Sequence, residues 1–382
     1  MKLHPFSAFV AFACALSWQA AGQPLVLTEV HANRSITFRY NAPAAKEVNL
    51  YFEALARPLP LQKDSQGIWW FKTEPVAPDI YAYSFVVDGQ RVLDPTNPEI
   101  KYNLFATENL VYVPGAKSLP WEINDVPHGV LHRHHYRSAI IGEERDVWVY
   151  TPPGYDAASA QKLPVLYLLH GFSDAEDAWV TMGRAHVILD NLIARGAAKP
   201  MLIVMPRGYG NRQVIAGGWA LLRTPDWQKT WQASNTKFSE SLLNEIIPLV
   251  EKNYNVGAEG SARAIAGLSM GGTQSLLIGL GSPERFAWIA AFSAGGMPDD
   301  YEQRFSGIND RLKDRLKLLW IGCGSDDGLI SDNKKFSAWL NSQGVVHTWE
   351  ETPGRHNFLV WRRYLAHVMP LLFQDENVRA QP

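Results

Sequence analysis

Hydrophobic and polar positions alternate through the first part of the chain, as they do in half-buried β-strands. The alternating runs are residues 36–40, 48–52, 68–71 and 81–87. The turn pair Asp88-Gly89 directly follows the last run, prolines fill the gaps, and no long helical period interrupts the pattern. Residues 23–115 are therefore predicted to form an immunoglobulin-like β-sandwich.

From residue 128 onward the pattern changes to continuous apolar runs separated by amphipathic stretches. The apolar runs, each of strand length, are residues 163–169, 200–205, 263–267, 286–292, 316–321 and 345–349. The stretches with helical spacing are residues 185–195, 238–254, 272–280, 331–342 and 358–373. Because strands that alternate with helices form a mostly parallel sheet covered on both faces, residues 128–382 are predicted to be an α/β domain, joined to the sandwich by a linker at 116–127.

The first 22 residues have the pattern of a signal peptide. Lys2 and His4 precede an apolar run at residues 8–16, and Ala20-Ala21-Gly22 offers small residues for cleavage. No later run approaches the apolar length that spans a bilayer. We therefore expect a secreted or periplasmic protein.

The charge balance excludes a protein built to bind nucleic acid or an anionic membrane. The 382 residues include 36 Lys+Arg against 38 Asp+Glu, a formal net charge of -2, whereas both of those partners require a cationic excess. Cys14 lies in the predicted signal peptide, which leaves Cys323 alone in the mature chain and makes an intramolecular disulfide impossible.

Ser269 is the candidate nucleophile. It lies in Gly267-Leu268-Ser269-Met270-Gly271-Gly272, between a predicted strand and a predicted helix, which is the setting of a nucleophile elbow in the α/β-hydrolase fold. The flanking glycines keep side chains from colliding in the tight turn. A serine hydroxyl is a weak nucleophile at neutral pH, so it needs a histidine to take its proton and a carboxylate to orient that histidine.

In this fold the acid and the histidine follow the serine along the chain. His356 comes after a predicted strand and is the candidate base, whereas His347 lies within a predicted strand and His367 within a predicted helix. Asp326 and Asp327 both follow the strand at 316–321, and position alone does not choose between them. Asp299 and Asp300 also follow a strand, at a longer distance.

Two backbone N–H groups are expected to bind the developing oxyanion. One is that of Met270, directly after the serine, and the other is that of Phe172, in the loop after the strand at 163–169. Gly171 allows this loop to bend toward the substrate, and we interpret His170 as a structural residue that holds the loop.

No metal or cofactor is expected. His128, His132, His134 and His135 lie close together in sequence, but adjacent strand residues point apart and no cysteine is nearby. The glycines between residues 208 and 218 lack the ending of a phosphate loop. We predict instead that they form a long loop beside the acyl pocket, with Trp219 as an aromatic wall.

Several motifs resemble the first family of carbohydrate esterases, which contains feruloyl and acetylxylan esterases and has siderophore trilactone esterases among its relatives. The motifs are Tyr167-Leu168-Leu169-His170-Gly171, Ala266-Gly267-Leu268-Ser269-Met270-Gly271-Gly272, Gly324-Ser325-Asp326-Asp327-Gly328-Leu329-Ile330 and Gly354-Arg355-His356-Asn357-Phe358-Leu359-Val360-Trp361. The resemblance implies that Asp327 is the triad acid, since the family acid is the second residue of the pair before Leu-Ile, and it supports His356. This chain has Asp rather than Asn at position 326.

The N-terminal part resembles the β-sandwich module of glycogen-branching-type enzymes. The motifs are Phe38-Arg39-Tyr40, Gly67-Ile68-Trp69, Tyr81-Ala82-Tyr83, Val87-Asp88-Gly89 and Asp94-Pro95. Trp69 and Trp70 are adjacent in a strand, so one is predicted to lie in the core and the other to form an interdomain contact.

The resemblance implies a secreted serine carboxylic ester hydrolase acting on an ester-decorated polysaccharide or oligosaccharide, and we expect a feruloyl esterase. Trp219 and Trp361, and also Trp179, are predicted to lie on or near loops that form a slot for the aromatic acyl group. Acetylxylan and siderophore trilactone esterases are the alternative hydrolases, and a non-catalytic carbohydrate-binding protein is the alternative class. The siderophore alternative would use an arginine cluster drawn from Arg207, Arg212, Arg223 and Arg355.

Overall fold

A computed structural model describes residues 28–374. The predicted signal peptide lies outside these residues. Among residues 28–374, no helix has both the length and the apolar character needed to cross a membrane.

The first part of the described chain is a sandwich of two antiparallel sheets. Its strands are β1 (Thr28–Val30), β2 (Ile36–Asn41), β3 (Val48–Phe52), β4 (Leu59–Pro60), β5 (Gln62–Lys63), β6 (Ile68–Lys72), β7 (Asp79–Val87), β8 (Gln90–Val92), β9 (Ile100–Lys101) and β10 (Glu108–Val113). One sheet has the order β1-β2-β6-β5, and the other has the order β4-β3-β7-β10-β9 with β8 paired to β7. Alternate residues such as Phe38, Leu50 and Phe85 fill the space between the sheets, as the period of two in the sequence requires.

The second part is one mixed sheet with helices on both faces. The strands are β11 (Val130–Ser138), β12 (Glu143–Thr151), β13 (Val165–Leu169), β14 (Leu202–Pro206), β15 (Arg263–Leu268), β16 (Trp288–Phe292), β17 (Leu318–Gly324) and β18 (Thr348–Thr352). The helices are α1 (Ala178–Thr181), α2 (Ala185–Ala194), α3 (Arg212–Leu221), α4 (Trp227–Ser241), α5 (Ile247–Asn253), α6 (Met270–Gly281), α7 (Tyr301–Arg304), α8 (Ile308–Leu312), α9 (Ile330–Ser342) and α10 (Phe358–Val368).

The strand order is β11-β12-β14-β13-β15-β16-β17-β18. The pairs β11–β12 and β12–β14 are antiparallel, and the other five pairs are parallel. The central strands are buried at every residue because α1, α2 and α10 cover one face and α4, α5, α6 and α9 cover the other. The order reverses between β13 and β15, so the loops that follow these two strands border one crevice at the carboxyl edge of the sheet.

Some elements differ from the sequence prediction. The loop predicted around residues 208–219 contains helix α3, in which Gly218 adopts φ 52° and interrupts the helical backbone. Helix α4 begins at Trp227, eleven residues before the predicted start at Phe238, and is joined to α5 by a π-helical turn at Leu242–Ile246. Polar residues dominate the first turns of α4, and they concealed the helical period.

The sandwich and the α/β part share a core. Ile80, Ala82 and Leu110 of the sandwich belong to the same apolar cluster as Trp179 of the α/β part. At its edge, the buried Asp79 carboxylate accepts hydrogen bonds from Arg362, with which it forms a buried ion pair, and from Arg363 at 2.6 Å. These contacts fix β7 against α10.

The segment at residues 116–127 packs against the α/β part along its length. Trp121 and Glu122 are buried, and the Asn191 side chain donates hydrogen bonds to the carbonyls of Pro120 and Glu122 at 2.7 and 2.8 Å. This segment therefore contributes to the contact between the two parts rather than only connecting them.

Candidate active site

Ser269 lies at the turn between β15 and α6 in a strained backbone conformation. Its φ of 51° and ψ of -116° lie outside the regions that non-glycine residues usually adopt. A Cβ atom at Gly271 would lie 2.5 Å from the carbonyl oxygen of His170, and one at Gly267 would lie 2.5 Å from Gly271. The glycines of the motif therefore allow the turn to close against the neighbouring loop, as predicted.

Ser269, His356 and Asp327 form one hydrogen-bonded series. His356 Nε2 is 2.9 Å from Ser269 Oγ, and His356 Nδ1 is 2.8 Å from Asp327 Oδ2. An ionised Asp327 only accepts hydrogen bonds, which places the proton of the neutral imidazole on Nδ1 and leaves Nε2 to accept from the serine hydroxyl. Asp326 is exposed and forms no contact of this kind, so Asp327 is the carboxylate of the pair that lies against His356.

Burial and hydrogen bonding act in opposite directions on Asp327. Burial raises the pKa of its carboxyl group, but the hydrogen bond and charge of His356 and the N–H of Leu329, which donates to Oδ1 at 2.9 Å, more than offset this effect. The net result is a lowered pKa. Asp327 is therefore ionised at neutral pH and able to stabilise an imidazolium at position 356.

The two predicted oxyanion donors belong to residues that line the larger cavity together with Ser269. Met270 is the first residue of α6, where a backbone N–H has no partner within the helix. The Phe172 N–H makes no hydrogen bond to any of residues 28–374. Both groups are therefore available to a negative charge that develops next to Ser269 Oγ.

His170 supports the loop at residues 171–174, which we name the oxyanion loop. Its Nδ1 is 2.8 Å from the Gly171 carbonyl and its Nε2 accepts from the Gly208 N–H at 2.8 Å. Burial lowers the pKa of this histidine, so it is neutral with both nitrogens engaged. This geometry agrees with the structural role predicted from the sequence.

The competing histidines have other partners. His347 was predicted within a strand but precedes β18, which begins at Thr348, and its Nε2 lies 2.7 Å from Ser337 Oγ. His367 contacts Glu350 on the far side of α10. The strand predicted at 345–349 begins three residues later, at Thr348. The reason is that the Val345 N–H donates to the Leu340 carbonyl and so belongs to the end of α9.

The four clustered histidines lie near the start of the α/β part, three of them on β11 and His128 before it. They pair separately with Asp190, Thr151, Tyr254 and Asp146. Within residues 28–374, no group of three or more His, Cys, Asp or Glu side chains is arranged to hold a metal ion.

Two cavities meet at Ser269 and His356. One, of about 610 Å³, is mainly apolar. Its aromatic and aliphatic lining residues include Phe172, Trp219, Leu222, Trp227, Trp231, Met270, Met297 and Tyr301. The other, of about 410 Å³, lies between the sandwich and the α/β part, and charged side chains of the sandwich line it: Glu53, Arg57, Lys101 and Glu108. A substrate can therefore extend from the serine in two directions of different chemistry.

The predicted tryptophans have different positions. Trp219 lies on α3 rather than on a loop, is 55% exposed, and borders both cavities with its ring edge-on to Phe172. Trp361 lies on α10, borders the smaller cavity and packs edge-on against His356 at 4.7 Å. Trp179 is fully buried and donates to the Leu169 carbonyl, so its predicted place in an acyl slot was wrong.

The adjacent tryptophans of the sandwich separate as expected for a strand. Trp69 is buried and donates to the Ala42 carbonyl at 2.9 Å. Trp70 is exposed on the opposite face, so the predicted interdomain contact was wrong: its neighbours are other residues of the sandwich.

Sequence reasoning missed Trp227 and Trp231. They stand one helical turn apart at the start of α4 and line the larger cavity. Their i, i+4 spacing ahead of Phe238 was a usable signal of the helix. The sandwich side chains in the smaller cavity had no comparable signal, because they approach Ser269 only through the tertiary fold.

Esterases are among the known proteins that this chain resembles. The chain is 31% identical over 368 residues to a protein of Xylanibacter ruminicola named endo-1,4-beta-xylanase/feruloyl esterase. The aligned region covers 92% of this chain and 46% of that protein. The chain therefore spans about half the length of this curated relative. An acetyl esterase from Caldicellulosiruptor saccharolyticus is 23% identical over 54% of this chain and 82% of its own length.

Solved structures share the fold. A ferulic acid esterase from Anaeromyces mucronatus superimposes with a TM-score of 0.56 and 24% identity, over 68% of this chain and 95% of its own. The enterochelin esterase of Shigella flexneri superimposes with a TM-score of 0.67 and 19% identity, over 91% of this chain and 95% of its own. The predicted α/β-hydrolase fold with an N-terminal β-sandwich is confirmed.

A family profile places the sequence as well. Residues 138–372 match the family named Esterase, and this match includes Ser269, Asp327 and His356. The matched region is more than half of the chain, and the chain belongs to this esterase family.

Proposed function

We propose that the protein is a serine carboxylic ester hydrolase with a Ser269-His356-Asp327 triad. Ser269 Oγ attacks the ester carbonyl while His356 Nε2 takes its proton, and the resulting oxyanion accepts hydrogen bonds from the N–H groups of Phe172 and Met270. His356 then gives the proton to the departing alcohol. Water attacks the acyl-enzyme by the same route and releases the acid. The single observation that carries this proposal is the series of contacts at 2.9 and 2.8 Å that joins the three side chains.

The proposed substrate is a hydroxycinnamate ester of a plant cell-wall polysaccharide. The larger cavity supports this choice, because Trp219, Trp227 and Trp231 offer aromatic surface to a planar acyl group beside the serine. The name of the Xylanibacter ruminicola relative includes feruloyl esterase and xylanase. The smaller cavity, which charged side chains of the sandwich line, would receive the sugar alcohol.

The four arginines named as a possible siderophore-binding cluster do not line either cavity at Ser269. Arg207 pairs with Glu176 and Arg212 with Glu143, while Arg355 donates to the Leu55 carbonyl. Three of the four charges are therefore engaged elsewhere, which weighs against a catecholate-binding cluster formed by these arginines at Ser269. An acetyl group would leave most of the 610 Å³ cavity unfilled.

Secretion or periplasmic location is proposed on the sequence of residues 1–22 alone. It agrees with the proposed substrate because a polysaccharide does not enter the cell. Cell fractionation tests it: the protein should be found outside the cytoplasm with Gln23 as its first residue.

The substrate proposal is tested by comparing kcat/KM on methyl ferulate, acetylated xylan and a catecholate trilactone. Methyl ferulate is expected to be preferred over an acetyl ester by about tenfold, the upper end of what one aromatic contact contributes. Ser269→Ala is the control for background hydrolysis and should be inactive on all three. A preference for either of the other substrates would overturn the feruloyl assignment and leave the triad in place.

A further inference from the structure

Three consecutive residues of the sandwich contact the oxyanion loop. They lie between β9 and β10, and we name them the 103–105 loop. Asn103 Nδ2 donates to Ser173 Oγ at 2.8 Å and to Asp174 Oδ1 at 3.0 Å. The Leu104 N–H donates to the Ser173 carbonyl at 2.8 Å, and the Phe105 ring packs against the Phe172 ring with centroids 5.4 Å apart.

The oxyanion loop has a conformation that depends on such support. Ser173, directly after the proposed donor Phe172, has φ of 75°, in the left-handed region that residues with a side chain rarely adopt. Both its hydroxyl and its carbonyl accept hydrogen bonds from the 103–105 loop. Because Ser173 directly follows Phe172, a change in the Ser173 backbone would displace Phe172 and with it the N–H proposed to bind the oxyanion.

The Asn103 amide is used completely. Its Oδ1 accepts from the N–H groups of Phe105 and Ala106 at 3.0 and 3.1 Å, which orders the sandwich side of the contact. Its Nδ2 faces the α/β part. The ammonium of Lys101, 3.7 Å from Asp174, adds an ionic contact at the same place. One buried side chain thus orders its own loop and the oxyanion loop together.

We propose that Asn103 is a positioning residue for the oxyanion hole, so that the sandwich takes part in catalysis by orienting the Phe172 N–H. Asn103 does not touch the reacting atoms; it acts through Ser173. This proposal rests on the proposed function, because an oxyanion hole has a role only if Ser269 attacks an ester.

The test compares the full-length wild type with Asn103→Asp. The aspartate retains the oxygen that accepts from Phe105 and Ala106 but replaces the donor with an acceptor that faces Asp174. With methyl ferulate, kcat is expected to fall about 10- to 100-fold, somewhat less than the loss of a whole oxyanion donor, while KM changes less than about threefold. Affinity for an aryl boronic acid, whose tetrahedral adduct occupies the same site, should fall by a similar factor.

A second substitution provides rescue. In Asn103→Asp/Asp174→Asn the donor and acceptor are exchanged, so kcat and boronate affinity should recover to within about threefold of wild type, a recovery expected only if the hydrogen bond itself matters. Asn124→Asp is the matched control. It removes a donor to Asn191 at 2.8 Å in the segment at 116–127, so it should lower thermal stability without changing kcat.

Wild-type kcat and boronate affinity in Asn103→Asp, or an equal loss in Asn124→Asp, would overturn the proposal. If Asn103→Asp does not fold, Ser173→Ala gives the same readout, since it removes only the hydroxyl that accepts from Asn103. A partial loss of kcat with unchanged KM supports the proposal, and unchanged kcat contradicts it. Inactive wild-type protein, or equal activity in Ser269→Ala, would instead refute the proposed function.

Discussion

At the residue scale, the neighbouring carboxylates of Asp326 and Asp327 have different surroundings because their side chains point in different directions. Asp327 is buried at the end of β17 and binds His356, whereas Asp326 is exposed and its backbone N–H donates to the Gly354 carbonyl. The chain thus allows the carboxylate proposed to orient His356 to be compared with a carboxylate at the adjacent position.

Asp327→Asn is expected to lower kcat by about 10⁴-fold, because an amide favours the wrong imidazole tautomer and leaves the imidazolium without a counter-charge. Asp326→Asn is the matched control and should retain kcat to within about threefold. Steady-state kinetics on methyl ferulate measure both. The opposite ranking would assign the acid to Asp326.

The lowered pKa of His186 leads us to expect that the stability of the protein depends on pH. Burial lowers the pKa of His186 to about 4, although the charge of Asp190 opposes the shift. A folded-state pKa below the unfolded value means that the neutral side chain contributes stability above about pH 6.5, and that this stability is lost as pH falls toward 4. His186→Gln should reduce the fall in Tm across this range. An identical pH profile in the variant would show that other groups cause the fall.

At the scale of elements, the catalytic turn was predictable and its surroundings were not. The elbow at Ser269 depends on a strand, a glycine-rich turn and a helix that are contiguous in sequence, so local pattern is sufficient. Helix α4 was predicted from Phe238 only, because its first turns are polar except for the tryptophans that face the cavity. The contact of Asn103 with Ser173 joins residues 70 positions apart, and no local pattern indicates it.

Helix α4 carries the next prediction. Trp227→Ala is expected to raise KM for methyl ferulate by about two- to tenfold, since one aromatic contact contributes about 0.5–1.5 kcal/mol, and to change KM for an aryl acetate much less. Trp70→Ala, which alters an exposed tryptophan of the sandwich, is the control and should change neither KM. Equal effects on the two substrates would remove Trp227 from the acyl pocket.

At the scale of the whole molecule, the sandwich and the α/β part form one structural unit. Apolar side chains of both lie in a common cluster, the segment at 116–127 packs along the α/β part, and charged sandwich residues line the smaller cavity. The sequence pattern predicted a β-sandwich and an α/β domain joined by a linker. It could not predict their contact surface, because the residues that form it, such as Asp79 and Arg362, look like ordinary charged positions until the tertiary fold buries them.

Asp79→Ala should lower the free energy of unfolding by about 3–5 kcal/mol, because it leaves the buried guanidinium of Arg362 without its counter-charge. Denaturant unfolding measures the change. Arg304→Ala removes a partly exposed ion pair with Asp300 and should change the free energy little. A small effect of Asp79→Ala would show that the two parts are held together mainly by their apolar contacts.

The central claim, that Ser269 forms an acyl-enzyme with a hydroxycinnamate, is tested most directly by mass spectrometry of protein acid-quenched during turnover of 4-nitrophenyl ferulate. The activated leaving group makes deacylation the slow step, so the intermediate accumulates. We predict a feruloyl adduct on the peptide that contains Ser269, and no adduct in Ser269→Ala. Turnover with no adduct at Ser269, or an adduct that persists in Ser269→Ala, would contradict the account.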